Sequence, residues 1–240
     1  MTERGMIFNA DMVRAILDGR KTQTRREVKL NLDIACLATT YDWATSLAAN
    51  HYQGLTEEQI QQKAESLRGV IHPVILANGQ MVSIICPHGK PGDRIWVRET
   101  FTGHYLDDDQ IQDIKDGRDK ASRLCEYRAD YPDGYQAADG WTPSIHMPRW
   151  ASRILLEITN VGVQRLQDIS SGGAVREGIC QLPASGRYCL SPGDQYFGGA
   201  SHSAKEVYSW LWSSIYGEES WKANPWVWVI EFKRVEGGAA

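Results

Sequence analysis

Apolar and polar positions fall in blocks along the chain that predict strands mixed with short helices. Residues 6–8 are a short apolar run. Asn9 behind them can cap a helix over 10–18, with Asp11 in its first turn to suit the dipole. Met12, Val13, Ile16 and Leu17 recur at the helical period on one face, and Gly19 is the expected C-terminal stop. A second helical pattern over 56–68 starts at Thr56 with Glu57 and Glu58 in its first turn. Two apolar runs, 71–76 and 81–86, flank Ala77-Asn78-Gly79-Gln80, whose Asn-Gly centre reads as a hairpin turn. Pro91-Gly92-Asp93 is a further turn, and a strand over 94–101 follows it.

Residues 106–120 are acidic and polar, as in a solvated helix or loop; 124–129 read as a strand and 131–144 as a loop rich in Gly, Pro and Tyr. A long strand pattern covers 153–166, with a bend expected at 160–162. Asp168 or Ser170 can then cap a helix carrying Ala174, Val175 and Glu177 and ended by Gly178, although Gly172-Gly173 weakens it. After a loop over 181–202, a helix over 204–216 sets Val207, Trp210, Leu211, Ser214 and Ile215 on one face. Residues 225–235 are apolar on both faces, as in a central or barrel strand. The pattern predicts one mixed, mostly antiparallel β domain with flanking helices, without internal repeat or linker.

Composition narrows the partners. The 240 residues are 42% hydrophobic and 23% charged, which excludes a disordered chain, a collagen and a coiled coil. With 26 Lys+Arg against 30 Asp+Glu, the bulk charge opposes a protein that coats duplex nucleic acid, while leaving room for a local basic pocket. Nine Trp are unusual, and indole serves either a heavy core or base stacking. There is no apolar window long enough to span a membrane, and the charged start is unlike a signal peptide, so a cytoplasmic protein is expected. Five scattered cysteines without a C-x-x-C read as thiols of a reducing compartment.

Few chemical motifs survive scrutiny. Gly19-Arg20-Lys21-Thr22 lacks the glycines of a phosphate loop. The six histidines show no ligand-like spacing, and Cys86-Pro87-His88 reads as a structural turn, so no metal is expected. The stretch from Lys21 to Arg26, with its two threonines, is more informative. By itself it would suit an exposed basic edge strand.

Three segments in order carry a resemblance: L-D-G-R-K-T-Q-T-R-R near the start, P-G-D-R-I-W-V-R-E centrally and V-W-V-I-E-F-K-R-V late in the chain. They resemble the ASCH family, whose small β-barrel is related to the PUA RNA-binding domain. P-S-I-H-M-P-R-W-A-S-R resembles its phage and prophage branch, which would place the protein in a host cytoplasm. The resemblance implies an α+β fold: one PUA-like, mostly antiparallel barrel over 1–240, enlarged by insertions near 31–90, 103–150 and 181–203.

The family includes bacterial N4-acetylcytidine amidohydrolases, and their G-R-K-T-x-T-x-R motif matches at Gly19, Arg20, Lys21, Thr22, Thr24 and Arg26. The family's catalytic Lys and Thr fall on Lys21 and Thr24, and its catalytic Glu on Glu177. Amide hydrolysis needs a nucleophile, a base and an acid for the leaving amine, roles open to Thr24, Lys21 and Glu177. A lysine base must lose about three pKa units, on the order of 4 kcal/mol, through burial or neighbouring charge such as Arg20, Arg25 and Arg26. In a regular strand positions 21 and 24 point oppositely, so Lys21 must still lie in the helix-to-strand turn.

Arg98 and Glu99 of V-R-E are further candidates for the pocket, against an ion pair at a strand end. Arg149 and Arg153, near His146 and Trp150, can hold a phosphate or pack a barrel corner. Tyr208, Trp212 and Tyr216 recur every four residues and read as core or lid packing. The expected partner is a modified nucleoside or RNA, with no cofactor and no obligate protein partner. Alternatives are a non-catalytic RNA- or nucleotide-binding module and a metal-independent ribonuclease.

Overall fold

The structure, a computed structural model, describes residues 1–29, 33–38, 54–67, 69–103, 105–191 and 198–235. Strand β1 (Glu3–Ile7) leads into helix α1 (Ala10–Leu17), where the Asn9 side chain accepts from the Met12 N–H at 2.9 Å as the capping pattern predicts. Gly19, at φ 74°, turns the chain into β2 (Gln23–Glu27). Next, β3 (Ile34–Leu37), β4 (Ile71–Leu76) and β5 (Met81–Ile85) form a small antiparallel sheet, with α2 (Glu57–Leu67) between β3 and β4. Residue 68 of the predicted helix lies outside the described residues. The β4–β5 hairpin turns through Asn78-Gly79, with Gly79 at φ 81°.

The strand expected over 94–101 is two strands. β6 (Arg94–Arg98) ends where Glu99 turns its carboxylate to Arg153 and its N–H to Met147 Sδ; the chain then resumes as β7 (Phe101–Thr102). Within the acidic stretch, α3 (Asp108–Lys115) carries a capping box from Asp107 and Gln110, and buries Ile114. The strand expected over 124–129 shrinks to β8 (Glu126–Tyr127), between helix α4 (Ala121–Leu124) and a turn of 3₁₀ helix at Arg128–Asp130. β9 (Leu155–Arg165) is the long strand. Helix α5 (Ser171–Arg176) is capped by Ser170, whose hydroxyl accepts from the Gly173 N–H at 3.0 Å. Three short strands, β10 (Cys180–Gln181), β11 (Tyr188–Cys189) and β12 (Ala200–Ser201), precede α6 (Ala204–Tyr216), α7 (Glu218–Lys222) and the last strand, β13 (Trp226–Arg234).

The main sheet runs β1-β6-β9-β13-β2, antiparallel except for β1 with β6. Among the described residues its ladder does not close into a barrel: β1 and β2 are its two edges. They are nonetheless joined at one point, where Arg26 of β2 donates to the Ile7 carbonyl of β1 at 2.7 Å. β13 pairs on both sides and buries Val227, Trp228, Val229, Ile230 and Phe232, which explains its two apolar faces. The main core gathers Phe8, Val13, Ile95, Leu156, Ala174 and Trp228, while Phe101, Ile114, Tyr127 and Met147 form a second, smaller one. Each stretch expected as an insertion thus overlaps a small sheet of its own.

Helix α6 faces the core differently from the expected stripe. Tyr208 and Trp212 are buried beside Val207 and Leu211, whereas Trp210 and Ile215 are 37% and 41% exposed. The aromatic row prevails because α6 packs against α5 and the edge of β2, where large flat side chains fill the space. No described helix is long and apolar enough to cross a membrane. All five cysteines are free thiols.

Candidate functional site

Lys21 lies in the turn before β2. Its N–H donates to the Ala15 carbonyl at 2.9 Å, and that of Thr22 to Arg176 at 2.9 Å. Lys21 reaches the Glu177 carboxylate, as does Arg25 with Gln23 in the same network, while Thr24 alternates with Gln23 and Arg25 along β2 and shares only the lining of one small cavity with Glu177. Glu177 caps the C-terminus of α5, and Gly178 follows at φ 107°. A Cβ on Gly178 would sit 2.9 Å from the Ala15 Cβ and 3.4 Å from the Lys21 Cβ, so the close approach of α5 to α1 needs glycine here.

The Lys21 ammonium is fully buried. It donates to Glu177 Oε2 at 2.6 Å, to the Glu177 carbonyl at 2.9 Å and to the Gln23 carbonyl at 2.8 Å, which uses all three of its N–H bonds. Arg25 Nη1 takes the other Glu177 oxygen at 2.8 Å and also donates to Gln23 Oε1 at 2.9 Å. The Arg25 guanidinium lies 5.8 Å from the centroid of the Tyr208 ring. Two buried cations therefore share one carboxylate, and the cluster carries an excess positive charge. Burial pulls the Lys21 pKa below its ordinary value; Glu177 opposes this, while Arg26 and Arg25 reinforce it. Burial and Glu177 push the Tyr208 hydroxyl well above its ordinary range, so it stays protonated.

Thr24 Oγ1 is buried and has no hydrogen-bond partner among the described residues. Thr24 lines a cavity of about 10 Å³ with Glu177, Arg25, Tyr208, Trp212 and Tyr216. That is room for one water molecule. The cavity shares Met12, Arg26, Ile215 and Tyr216 with a larger open pocket of about 390 Å³ between the two sheet edges.

The remaining candidates divide. Arg26 and Arg98 line the larger pocket. Arg20 packs at its foot of the site, donating to the Gly178 carbonyl at 2.7 Å and pairing with Asp18 at 3.0 Å, while Thr22 contributes backbone bonds. Glu99, Arg149 and Arg153 are not brought to the cavity. Arg153 grips both Glu99 oxygens at 3.0 Å and both Asp130 oxygens at 2.8 and 2.7 Å, with its guanidinium 3.9 Å from the Tyr127 ring centroid. Arg149 pairs with Glu3 at 3.1 Å. Those guanidiniums are spent on carboxylates within the fold.

Sequence reading named Arg25 only as a nearby charge. Its direct hold on Glu177 follows from two-residue spacing with Gln23, which puts both side chains on one face of β2. Gln164 gave no such signal: with its amide oxygen turned to Arg25, it accepts at 3.0 and 3.2 Å. Among the described residues no three His, Cys, Asp or Glu side chains group as metal ligands. No family model, curated protein or solved structure matches the chain.

Proposed function

We propose that this chain is a nucleoside-directed hydrolase of ASCH type, built on a PUA-like frame, which removes an acyl group from an exocyclic amine such as that of N4-acetylcytidine. One observation carries the reading: a buried Lys21–Glu177 contact of 2.6 Å, with Thr24, whose hydroxyl is unpartnered, lining a small cavity together with Glu177. Transfer of one proton along that contact leaves a neutral amine and a neutral carboxylic acid, the base and the acid that amide cleavage needs. Burial lowers the Lys21 pKa, which favours its neutral amine.

Thr24 Oγ1 then bonds to the acyl carbon as its proton passes to Lys21, and the carbonyl electron pair moves onto oxygen. The oxyanion forms in the field of Arg25, the cation left over once Glu177 is neutral. Collapse breaks the carbon–nitrogen bond, with Glu177 giving its proton to the departing amine. Water, deprotonated by the Glu177 carboxylate, splits the Thr24 ester, and Lys21 returns a proton to Thr24. The single-water cavity demands that Ile215 and Tyr216, half exposed at the end of α6, swing aside to admit substrate.

Incubation with N4-acetylcytidine, followed by chromatography, is expected to yield cytidine, and Lys21→Ala is expected to abolish it. No turnover, or turnover indifferent to Lys21→Ala, sinks the assignment. A second reading, a nucleotide-binding module without chemistry, draws on the three satisfied N–H bonds of Lys21, which also suit a purely structural ammonium. It predicts nucleotide binding, strongly weakened by salt, without any product.

A further inference from the structure

The pocket between the sheet edges has a charge pattern that acyl transfer does not use. Arg26 and Arg98 line it with His88, and Arg4, next to the lining residue Gly5 on β1, donates to the carbonyl of Pro87, the neighbour of His88. The acceptors of all three arginines are neutral: Arg26 bonds the Ile7 carbonyl, the Arg25 carbonyl and the Tyr216 hydroxyl, and Arg98 bonds the Ser144 and Ile145 carbonyls. Among the described residues no carboxylate pairs with any of them, while Arg25, which is buried, and Arg153 are matched to Glu or Asp. This surplus stands out in a chain whose net charge is −4.

The arrangement is held in place. Gly5 of β1 lets the Arg98 stem and the Trp96 ring pass: a Cβ there would lie 2.6 Å from Trp96 and 2.9 Å from Arg98 Cδ. Arg98 lies 5.4 Å from the Trp96 ring centroid and Arg26 lies 5.3 Å from that of Phe8, which fixes both guanidiniums without neutralising them. Burial and the charges of Arg26 and Arg4 hold His88 down at about 4, so at neutral pH its ring offers a hydrogen bond and no charge. A side pocket of about 260 Å³, which adds Lys29 and Glu27, shares Arg26, His88 and Tyr216.

We propose that this pocket is a subsite for a phosphate monoester and that the substrate class is a mononucleotide, its base directed past Tyr216 toward Thr24. The proposal rests on the hydrolase reading for the placement of the base; the phosphate contacts do not depend on it. Two guanidiniums lining the pocket, with a third whose charge acts on His88 in its wall, suit one compact dianion, since planar N–H forks match phosphate oxygens. A strand of RNA would instead call for cations spaced along a track. Pockets of this size fit a small ligand.

Titration calorimetry with cytidine, cytidine 5′-monophosphate, inorganic phosphate and a ten-nucleotide single-stranded RNA tests this on the whole chain, without need for turnover. The monophosphate is expected to bind roughly tenfold or more tightly than cytidine, and inorganic phosphate to compete with it. Arg98→Gln, checked for an unchanged melting temperature, is expected to erase that preference, and Arg4→Gln to reduce it. Equal affinities, no detectable binding of the monophosphate, or a preference that survives both variants overturns the subsite. RNA binding far more tightly than the monophosphate overturns the mononucleotide assignment in favour of a strand. Should the monophosphate bind as expected while N4-acetylcytidine is left intact, the hydrolase reading falls and the subsite stands.

Discussion

Two buried ion networks, built from the same ingredients, end differently. Around Arg153 the guanidinium is gripped by Glu99 and Asp130, and it stacks on Tyr127. Every strong group there is used within the protein. Around Glu177 the surplus is a cation, the nearby Thr24 hydroxyl is buried without a partner, and a small cavity shares Arg26 and Tyr216 with the larger pocket. Burial and charge alone do not mark a site, since both networks have them. The distinguishing marks are what remains unpaired and whether there is space next to it.

Substitutions can break this contrast. Glu177→Ala strands Lys21 and Arg25 without a counter-charge, and should cost about 3–5 kcal/mol, lowering the melting temperature by on the order of 10 °C and removing turnover. Arg153→Leu strands Glu99 and should cost somewhat less, about 3 kcal/mol, because Asp130 is 44% exposed and can be rehydrated. Calorimetry and product formation per folded molecule separate the two: the second variant should turn over N4-acetylcytidine as the parent does. If Arg153→Leu is as inactive as Glu177→Ala, the division between the networks is wrong.

A subtler probe is Thr24→Val. A partnered hydroxyl would cost about 1 kcal/mol to remove, whereas the unpartnered Thr24 Oγ1 should leave stability unchanged or raise it by about 1 kcal/mol, with activity lost. Urea unfolding measures the sign. A further effect is on pH dependence. Since the His88 pKa falls from 6.5 to about 4 on folding, the unfolded chain binds more protons between those values. Stability should therefore drop as pH falls from 6.5 toward 4, and His88→Gln should flatten that slope.

Local chemistry was plain in the sequence. Asn9 and Ser170 as caps, Gly19 and Gly178 as stops, and Asn78-Gly79 as a hairpin turn are short-range signals that the fold obeys. Of the proposed trio, Lys21 and Glu177 meet at 2.6 Å, while Thr24 lines a small cavity with Glu177 but not with Lys21. What could not be read depends on tertiary packing. Glu99 interrupts the strand over 94–101 because its partner Arg153 is 54 residues away. The buried face of α6 is chosen by α5 and β2, so Ile215 lies at the pocket mouth and not in the core. The role of Arg98 depends on Gly5, a neighbour two strands of sequence would not connect.

The place of β13 has a consequence for how the protein is made. β2 emerges early in synthesis, yet its ladder partner among the described residues is β13, about two hundred residues later. Until Trp226–Arg234 has left the ribosome, β2 and β9 both wait with open hydrogen-bonding edges, and the turn carrying Lys21 has no finished sheet to rest on. A growing chain should thus be a client of chaperones for most of its synthesis. Ribosome-held fragments ending before residue 226 should be cut readily by protease within β2, and those extended past 234 should resist.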